Sequence, residues 1–371
     1  MAPLLHPLDS LGPVIRRRGP LTRTQAAIVR GRLSVGFLGG SITAPGGTSW
    51  SDALVAWLVD AFPAVRISVE NAAIGATGSE LAAIRTQAEI VDRGCDLVFV
   101  EYAVNDFGTE PGLRARAREG VLRQLRRAPG CDVVVAYTHA PDLQAETLAG
   151  RVPATIADYE RLAEHYHLNS VWMGLHALRE VQRGLLRWED WLPDAIHPGP
   201  RGSLSYAQSV SAFLAEAMVP SAGAAAPAGE LPLPLTLGVW DRVRLLPLES
   251  LARTGPWTLR RWTTCPGTTQ ILLTTAPCAG LTVPFAGRGL VLAFDFGKAS
   301  GEIRYRFDGG AWQETTRDCP AWAGDAGWLR SLVLTEALPA GPHRCEIETL
   351  AGPGSSGRGS RTALALVGVI E

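Results

Sequence analysis

A chain of 371 residues exceeds the usual size of one domain and carries enough apolar sequence for a substantial core, so two domains are expected. Its 35 Lys plus Arg stand against 36 Asp plus Glu, and a formal net charge of −1 gives no general electrostatic pull toward nucleic acid or an anionic membrane. The expected partner is a neutral or locally recognised small molecule, and nothing in the composition argues against a homo-oligomer.

Residues 1–32 read as an N-terminal extension. They contain Arg16-Arg17-Arg18 without the apolar stretch a secretory signal needs. Nor does any later run reach the roughly twenty apolar residues of a membrane span, so the expected location is the cytoplasm. The cysteines at 95, 131, 265, 278, 319 and 345 lack zinc-ligand spacing and are most simply buried thiols. A disulfide among the last four stays open should the protein be exported. No metal or cofactor is expected.

Residues 33–219 alternate short apolar runs with longer amphipathic ones, the pattern of strands joined by helical crossovers. Strands are expected at Leu33–Leu38, Val65–Asn71, Leu97–Tyr102 and Val133–Thr138, with a weaker one near Ser170–Met173. Helices are expected at Ser51–Phe62, Glu80–Arg93, Leu113–Arg127, Ala154–His165, Leu175–Leu186 and Ser203–Met218. Their apolar positions recur at helical spacing, as in Leu54, Trp57, Leu58 and Ala61. The result is an α/β domain whose parallel sheet is covered by helices.

Residues 220–234, rich in Ala, Pro and Gly, read as a linker. From 235 to 371 helical periodicity disappears. Strand-like runs follow at Gln270–Thr274, Gly289–Phe296, Ile303–Phe307, Leu329–Leu334 and Ala363–Ile370, separated by Gly- and Pro-rich turns. That is the pattern of an antiparallel β-sandwich, with Asp308-Gly309-Gly310 as a hairpin turn presenting Trp312.

Gly39-Gly40-Ser41-Ile42-Thr43 follows the first strand and therefore stands at the carboxyl end of a parallel sheet, where α/β proteins bind ligands. The two glycines permit a tight turn and close substrate approach. A phosphate-binding turn would need a Gly-x-Gly-x-x-Gly pattern or a following Lys, both absent. A serine that merely caps the next helix is the ordinary reading of this segment alone. Three other segments change the balance: Asn71 to Ser79 after the second strand, Ala103-Val104-Asn105-Asp106 after the third, and Asp194-Ala195-Ile196-His197 before the last helix.

In this order the four segments resemble the blocks of the SGNH hydrolases, also called the GDSL esterase/lipase superfamily, over residues 33 to 215. The resemblance implies a three-layer α/β/α, flavodoxin-like fold. It implies Ser41 as nucleophile, His197 as general base and then acid, and Asp194 as the group that orients the imidazole. The backbone N–H of Ser41, a backbone N–H of Gly75 or Ala76 and the amide of Asn105 would form the oxyanion hole. The chemistry fits: a serine hydroxyl needs a base, and the base needs an orienting group. The first block has Gly40 where Asp is usual. The second has Ala76 where Gly is usual, and the third has Ala103 where Gly is usual.

His139, Trp188 and Trp191 are candidate substrate-binding residues, each with core packing as the plainer alternative. Asp106 and Glu101 read as structural, and His165 and His167 as surface groups at a helix end. Six C-terminal tryptophans, at 240, 257, 262, 312, 322 and 328, invite a sugar-binding reading, though core packing is the simpler one. A run at Leu338–Ile347 is weakly similar to jelly-roll modules of some carbohydrate esterases. The expected function is a serine esterase removing a small, acetyl-like acyl group from a saccharide or other hydroxylated substrate. The alternatives are an acyltransferase using the same acyl-enzyme, or a catalytically silent glycan-binding protein.

Overall fold

The computed structural model describes residues 7–127, 131–218, 231–262, 267–323, 327–350 and 359–371. The chain divides into two compact units, Met1–Asp241 and Arg242–Glu371.

The first unit runs β1 (Ile15–Arg16), α1 (Thr22–Val29), β2 (Arg32–Gly39), α2 (Trp50–Ala61), β3 (Arg66–Asn71), α3 (Ser79–Thr86) and β4 (Leu97–Glu101). It continues α4 (Pro111–Arg127), β5 (Asp132–Ala136), α5 (Pro141–Leu148), α6 (Ala154–His165), β6 (Asn169–Val171), α7 (Met173–Gln182), α8 (Trp188–Trp191) and α9 (Pro200–Ala217). The sheet order is β1-β6-β5-β4-β2-β3, parallel except for β1 at one edge. Strands β4 and β5 are buried at every residue, as expected of apolar strands covered on both faces. Helices α2 and α7 pack on α9, while α3 and α6 pack on α4, giving the two outer layers. Trp50, the first residue of α2, sets its ring edge-on against the stacked pair Phe37 and Phe99 and so fixes the helix onto the sheet. Ser49 and Asp52 close a reciprocal capping box ahead of it.

Two boundaries differ from the sequence expectation. Residues 7–32 are part of the first unit rather than an extension. Leu8, Leu11 and Leu21 are buried, β1 pairs with β6, and the arginine run is used up in ion pairs, Arg16 and Arg18 to Glu160 and Arg17 to Glu216. Residues 231–241 also belong to the first unit, so the division falls after Asp241 rather than at 234. The N–H groups of Leu235 and Thr236 donate to Glu119 of α4 at 2.7 and 2.8 Å, and Arg123 reaches Asp241 at 2.8 Å. The Trp240 backbone lies on Gly120, where a Cβ would come within 2.5 Å of its carbonyl oxygen. Most of the expected linker lies outside the described residues.

The second unit is a two-sheet antiparallel β fold of eleven strands among the described residues: β7 (Val243–Leu245), β8 (Ala252–Thr254), β9 (Thr258–Arg261), β10 (Gln270–Thr274), β11 (Gly280–Gly287), β12 (Gly289–Phe296), β13 (Ile303–Phe307), β14 (Gln313–Glu314), β15 (Trp328–Thr335), β16 (Gly341–Thr349) and β17 (Thr362–Ile370). One sheet has the order β15-β12-β17-β10-β9 with β7 on β17; the other is β14-β13-β16-β11-β8. Alternate residues such as Leu290, Leu292, Phe294 and Phe296 from the first sheet meet Leu281, Val283, Phe285 and Ile347 from the second in one core. Trp312 lies between the guanidinium groups of Arg304 and Arg306. The five described cysteines are free thiols, and Cys265 lies outside the described residues.

Candidate active site

The sheet order reverses between β2 and β4: the chain leaves β2 for the edge strand β3 and returns to β4 on the other side. In such sheets the crevice at the carboxyl ends of the two diverging strands is the ligand site. Ser41 follows β2 there and Asn105 follows β4.

The structure brings the chain-distant groups together. Ser41 Oγ lies 2.8 Å from His197 Nε2, and His197 Nδ1 lies 2.8 Å from Asp194 Oδ2. The other oxygen of Asp194 accepts the backbone N–H groups of Ile196 at 3.0 Å and His197 at 2.7 Å. Ala195 makes this tight turn possible with a left-handed backbone at φ 73°. Burial pushes the Asp194 carboxyl up, but the bonds from the His197 backbone and imidazole and from the Ile196 N–H outweigh it and hold the pKa at about 2. The carboxylate thus stays charged, fixing the imidazole tautomer with Nε2 free to take a proton from Ser41. The Asp194 and His197 side chains are 55% and 48% exposed, so water has access to the base.

The second and third segments converge on the same serine. A Cβ built on Gly75 would stand 3.5 Å from Ser41 Cβ. Ala76 adopts φ 58°, the left-handed conformation that the usual glycine takes without steric cost. Among the described residues, no hydrogen bond within the chain takes up the backbone N–H of Ser41, Gly75 or Ala76, or the Asn105 amide. Donors without an internal acceptor, on segments that meet beside the serine, suit an anion that forms only during reaction.

The glycines before Ser41 have a steric reason different from the expected one. Neither is left-handed; each makes room for a protein side chain rather than for substrate. A Cβ on Gly40 would fall 1.9 Å from Asn105 Oδ1, and one on Gly39 would fall 2.7 Å from Thr43 Cβ. The absence of a side chain at Gly40 leaves the space that the Asn105 side chain fills.

Asp106 is fully buried between Arg118 Nε at 2.6 Å and the Ser79 N–H at 2.8 Å, and it ties the Asn105 loop to α3 and α4. Arg118 carries no motif, but a buried arginine on an otherwise amphipathic helix needs an acid, and Asp106 was the candidate in reach.

His139 and Trp191, expected as candidate substrate-binding residues, are not among the residues lining the pocket beside Ser41. They are 3% and 0% exposed and pack on each other, with ring centroids 5.0 Å apart. Trp191 also meets Tyr206, and burial drives the His139 pKa down to about 4. Trp188 is half-buried and packs against both. The pocket beside Ser41 and His197, about 190 Å³, is instead walled by Ile42, Ala44, Pro45, Gly46, Thr48, Ser49, Pro198 and Ser203. Most of these residues lie in the loop after the serine, with Pro198 just before α9 and Ser203 in its first turn.

No helix among the described residues is long and apolar enough to cross a membrane. No group of three or more described His, Cys, Asp or Glu residues is arranged to hold a metal ion.

A two-domain esterase (CEX) active on acetylated mannans superposes on the chain with a TM-score of 0.78 at 20% identity, covering 98% of both chains. Its structure co-crystallised with mannopentaose gives 0.77 at 20% identity, covering 98% of this chain and 97% of that one. A catalytic mutant of Axe2, an acetylxylan esterase from Geobacillus stearothermophilus, gives 0.43 at 16% identity, over 50% of this chain and 94% of that one. At these identities the first two matches speak for the fold. No curated protein sequence matches the chain. Residues 37–203, the stretch that carries Ser41, Asn105, Asp194 and His197, match the GDSL-like lipase/acylhydrolase family.

Proposed function

We propose that the protein is a serine esterase that removes a small acyl group, acetyl in the first instance, from a hydroxylated substrate of the saccharide class. The observation that carries the reading is the unbroken relay from Ser41 Oγ through His197 to Asp194, with 2.8 Å at both steps. His197 takes the Ser41 proton as the oxygen attacks the ester carbonyl. The tetrahedral oxyanion is held by the Ser41 N–H, the Asn105 amide and an N–H of Gly75 or Ala76. Collapse expels the alcohol, which receives the proton from His197 and leaves the acyl group on Ser41. Water activated by the same imidazole then releases the carboxylic acid and restores the serine.

Two observations narrow the substrate. A pocket of about 190 Å³ beside the relay suits a short acyl group rather than a fatty chain. One solved structure of like fold over nearly the whole chain is that of an esterase active on acetylated mannans, which makes an acetylated saccharide the first substrate to test. The test is release of free acetate from acetylated manno- and xylo-oligosaccharides. Acetate release that depends on Ser41 supports the reading. Acyl transfer to an added saccharide without free acid favours the transferase, and no turnover with no labelling of Ser41 by a serine-directed phosphonate favours a silent glycan binder.

A further inference from the structure

A carboxyl group lies buried beneath the turn that carries Ser41. Glu101 ends β4, is 0% exposed, and stands opposite Gly39 of β2 in the sheet register. Its Oε1 accepts Thr138 Oγ1 at 2.8 Å and its Oε2 accepts Thr43 Oγ1 at 2.9 Å. Among the described residues no cation pairs with it. Burial lifts its pKa to about 7 against those hydrogen bonds. A buried, unpaired carboxyl is costly, and the four residues before it, Leu97 to Val100, show what a position asking only for packing would take.

Thr43 shows what the carboxyl holds. Its hydroxyl also receives Trp50 Nε1–H at 3.0 Å, and its carbonyl accepts Ser51 Oγ and Asn71 Nδ2, each at 3.0 Å. Its own N–H closes the turn on Gly40 O at 3.1 Å. The missing side chain of Gly39 lets Thr43 reach down to Glu101. Gly40 and Thr43 flank Ser41 and Ile42, and this scaffold leaves the Ser41 hydroxyl to His197.

We infer that Glu101 is a positioning residue of this site: it holds Thr43, whose N–H closes the turn on Gly40 O, and so fixes the Ser41 turn with Oγ against His197 and the Ser41 N–H toward the developing oxyanion. The inference rests on the proposed esterase reading. Glu101 touches neither substrate nor reacting atoms and acts only through the turn.

The test compares wild type with Glu101→Gln, Glu101→Leu and Thr43→Val on p-nitrophenyl acetate. Each protein is titrated to completion with a serine-directed phosphonate, so that rates refer to reactive Ser41, and each thermal midpoint is recorded. The clamp predicts a fall in kcat per titrated site of about 10- to 100-fold in Glu101→Leu and Thr43→Val, with KM nearly unchanged. Glu101→Gln, which keeps the shape and one acceptor, recovers part of the loss. The double variant Glu101→Leu/Thr43→Val is no worse than the poorer single, because both remove one linkage. Unchanged kcat per site with only a lower thermal midpoint would make Glu101 a plain packing residue and overturn the inference, as would a change confined to KM. Should Glu101→Leu not fold, Glu101→Gln and Thr43→Val decide by the same criteria. If the esterase reading itself is wrong, the wild type shows no Ser41-dependent turnover, a result distinct from an active wild type with unaffected variants.

Discussion

Ser41 Oγ and His197 Nε2, 156 residues apart in the chain, stand 2.8 Å from each other at the carboxyl edge of the sheet. The distance is that of a hydrogen bond ready for proton transfer, and the Asp194 carboxylate behind the imidazole fixes which nitrogen faces the serine. Changing Asp194→Asn should therefore lower kcat by about 10³- to 10⁴-fold. The thermal midpoint should move little, since the side chain is half exposed. Steady-state kinetics beside a melting curve checks both halves; a large drop in the melting midpoint would make the carboxylate a fold element instead.

Asn105 and Gly40 form a second linked pair. Asn105→Ala is expected to cost about 10²- to 10³-fold in kcat with little change in KM, the usual loss for one oxyanion donor. Gly40→Ala, and Gly40→Asp, which restores the usual first-block residue, place atoms where the Asn105 amide sits. Both should mimic Asn105→Ala and should add almost nothing when combined with it. A fully active Gly40→Asp protein would show that the amide has another place to go.

Ala76 holds a left-handed backbone at φ 58° that costs an L-residue roughly 1 kcal/mol. Ala76→Gly should relieve that strain and, despite glycine's greater freedom in the unfolded chain, raise stability by up to about 1 kcal/mol with activity retained. Urea denaturation measures it. A loss of stability would mean that the alanine methyl contributes packing that outweighs the strain.

Glu101 gives stability a pH dependence. The carboxyl is raised from its ordinary 4.5 to about 7, so the unfolded chain releases this proton first. Between those values the native state binds more protons than the unfolded one, and stability falls as pH rises, levelling off above about 7. The groups around it are Asp106, neutralised by Arg118, and the phenols of Tyr102, Tyr159 and Tyr206, whose own pKa values burial pushes up. The thermal midpoint of wild type relative to Glu101→Gln should therefore drop between pH 5 and pH 7.5. Parallel curves for the two proteins would show that the carboxyl is not protonated in the fold.

Much of this architecture is legible in the chain because it rests on local pattern. The apolar runs of β2, β4 and β5 announce a buried parallel sheet, and β10, β12 and β13 fall where their alternation puts them. The reactive segments are visible because each ends a strand and carries a side chain with few other uses. What the sequence conceals depends on distant partners. Leu-Pro alternation at 231–234 reads as part of a linker, and only Glu119 and Arg123 on α4 reveal that this stretch is strapped to the first unit. Two residues of β1 are too few to show a period. Trp191 and His139 look like a cleft wall in sequence because aromatic residues near a reactive loop suit either role, and only their burial decides. Glu101 reads in sequence simply as structural, and its meaning needed the register that sets it against Gly39.

The nucleophile is the claim on which the rest depends. Wild type and Ser41→Ala protein are compared in turnover of p-nitrophenyl acetate, with mass spectrometry locating the adduct left by a serine-directed phosphonate. The account predicts an adduct on Ser41 alone and a loss of about 10⁴-fold or more in the variant. Normal turnover by Ser41→Ala, or an adduct on another residue, would contradict it.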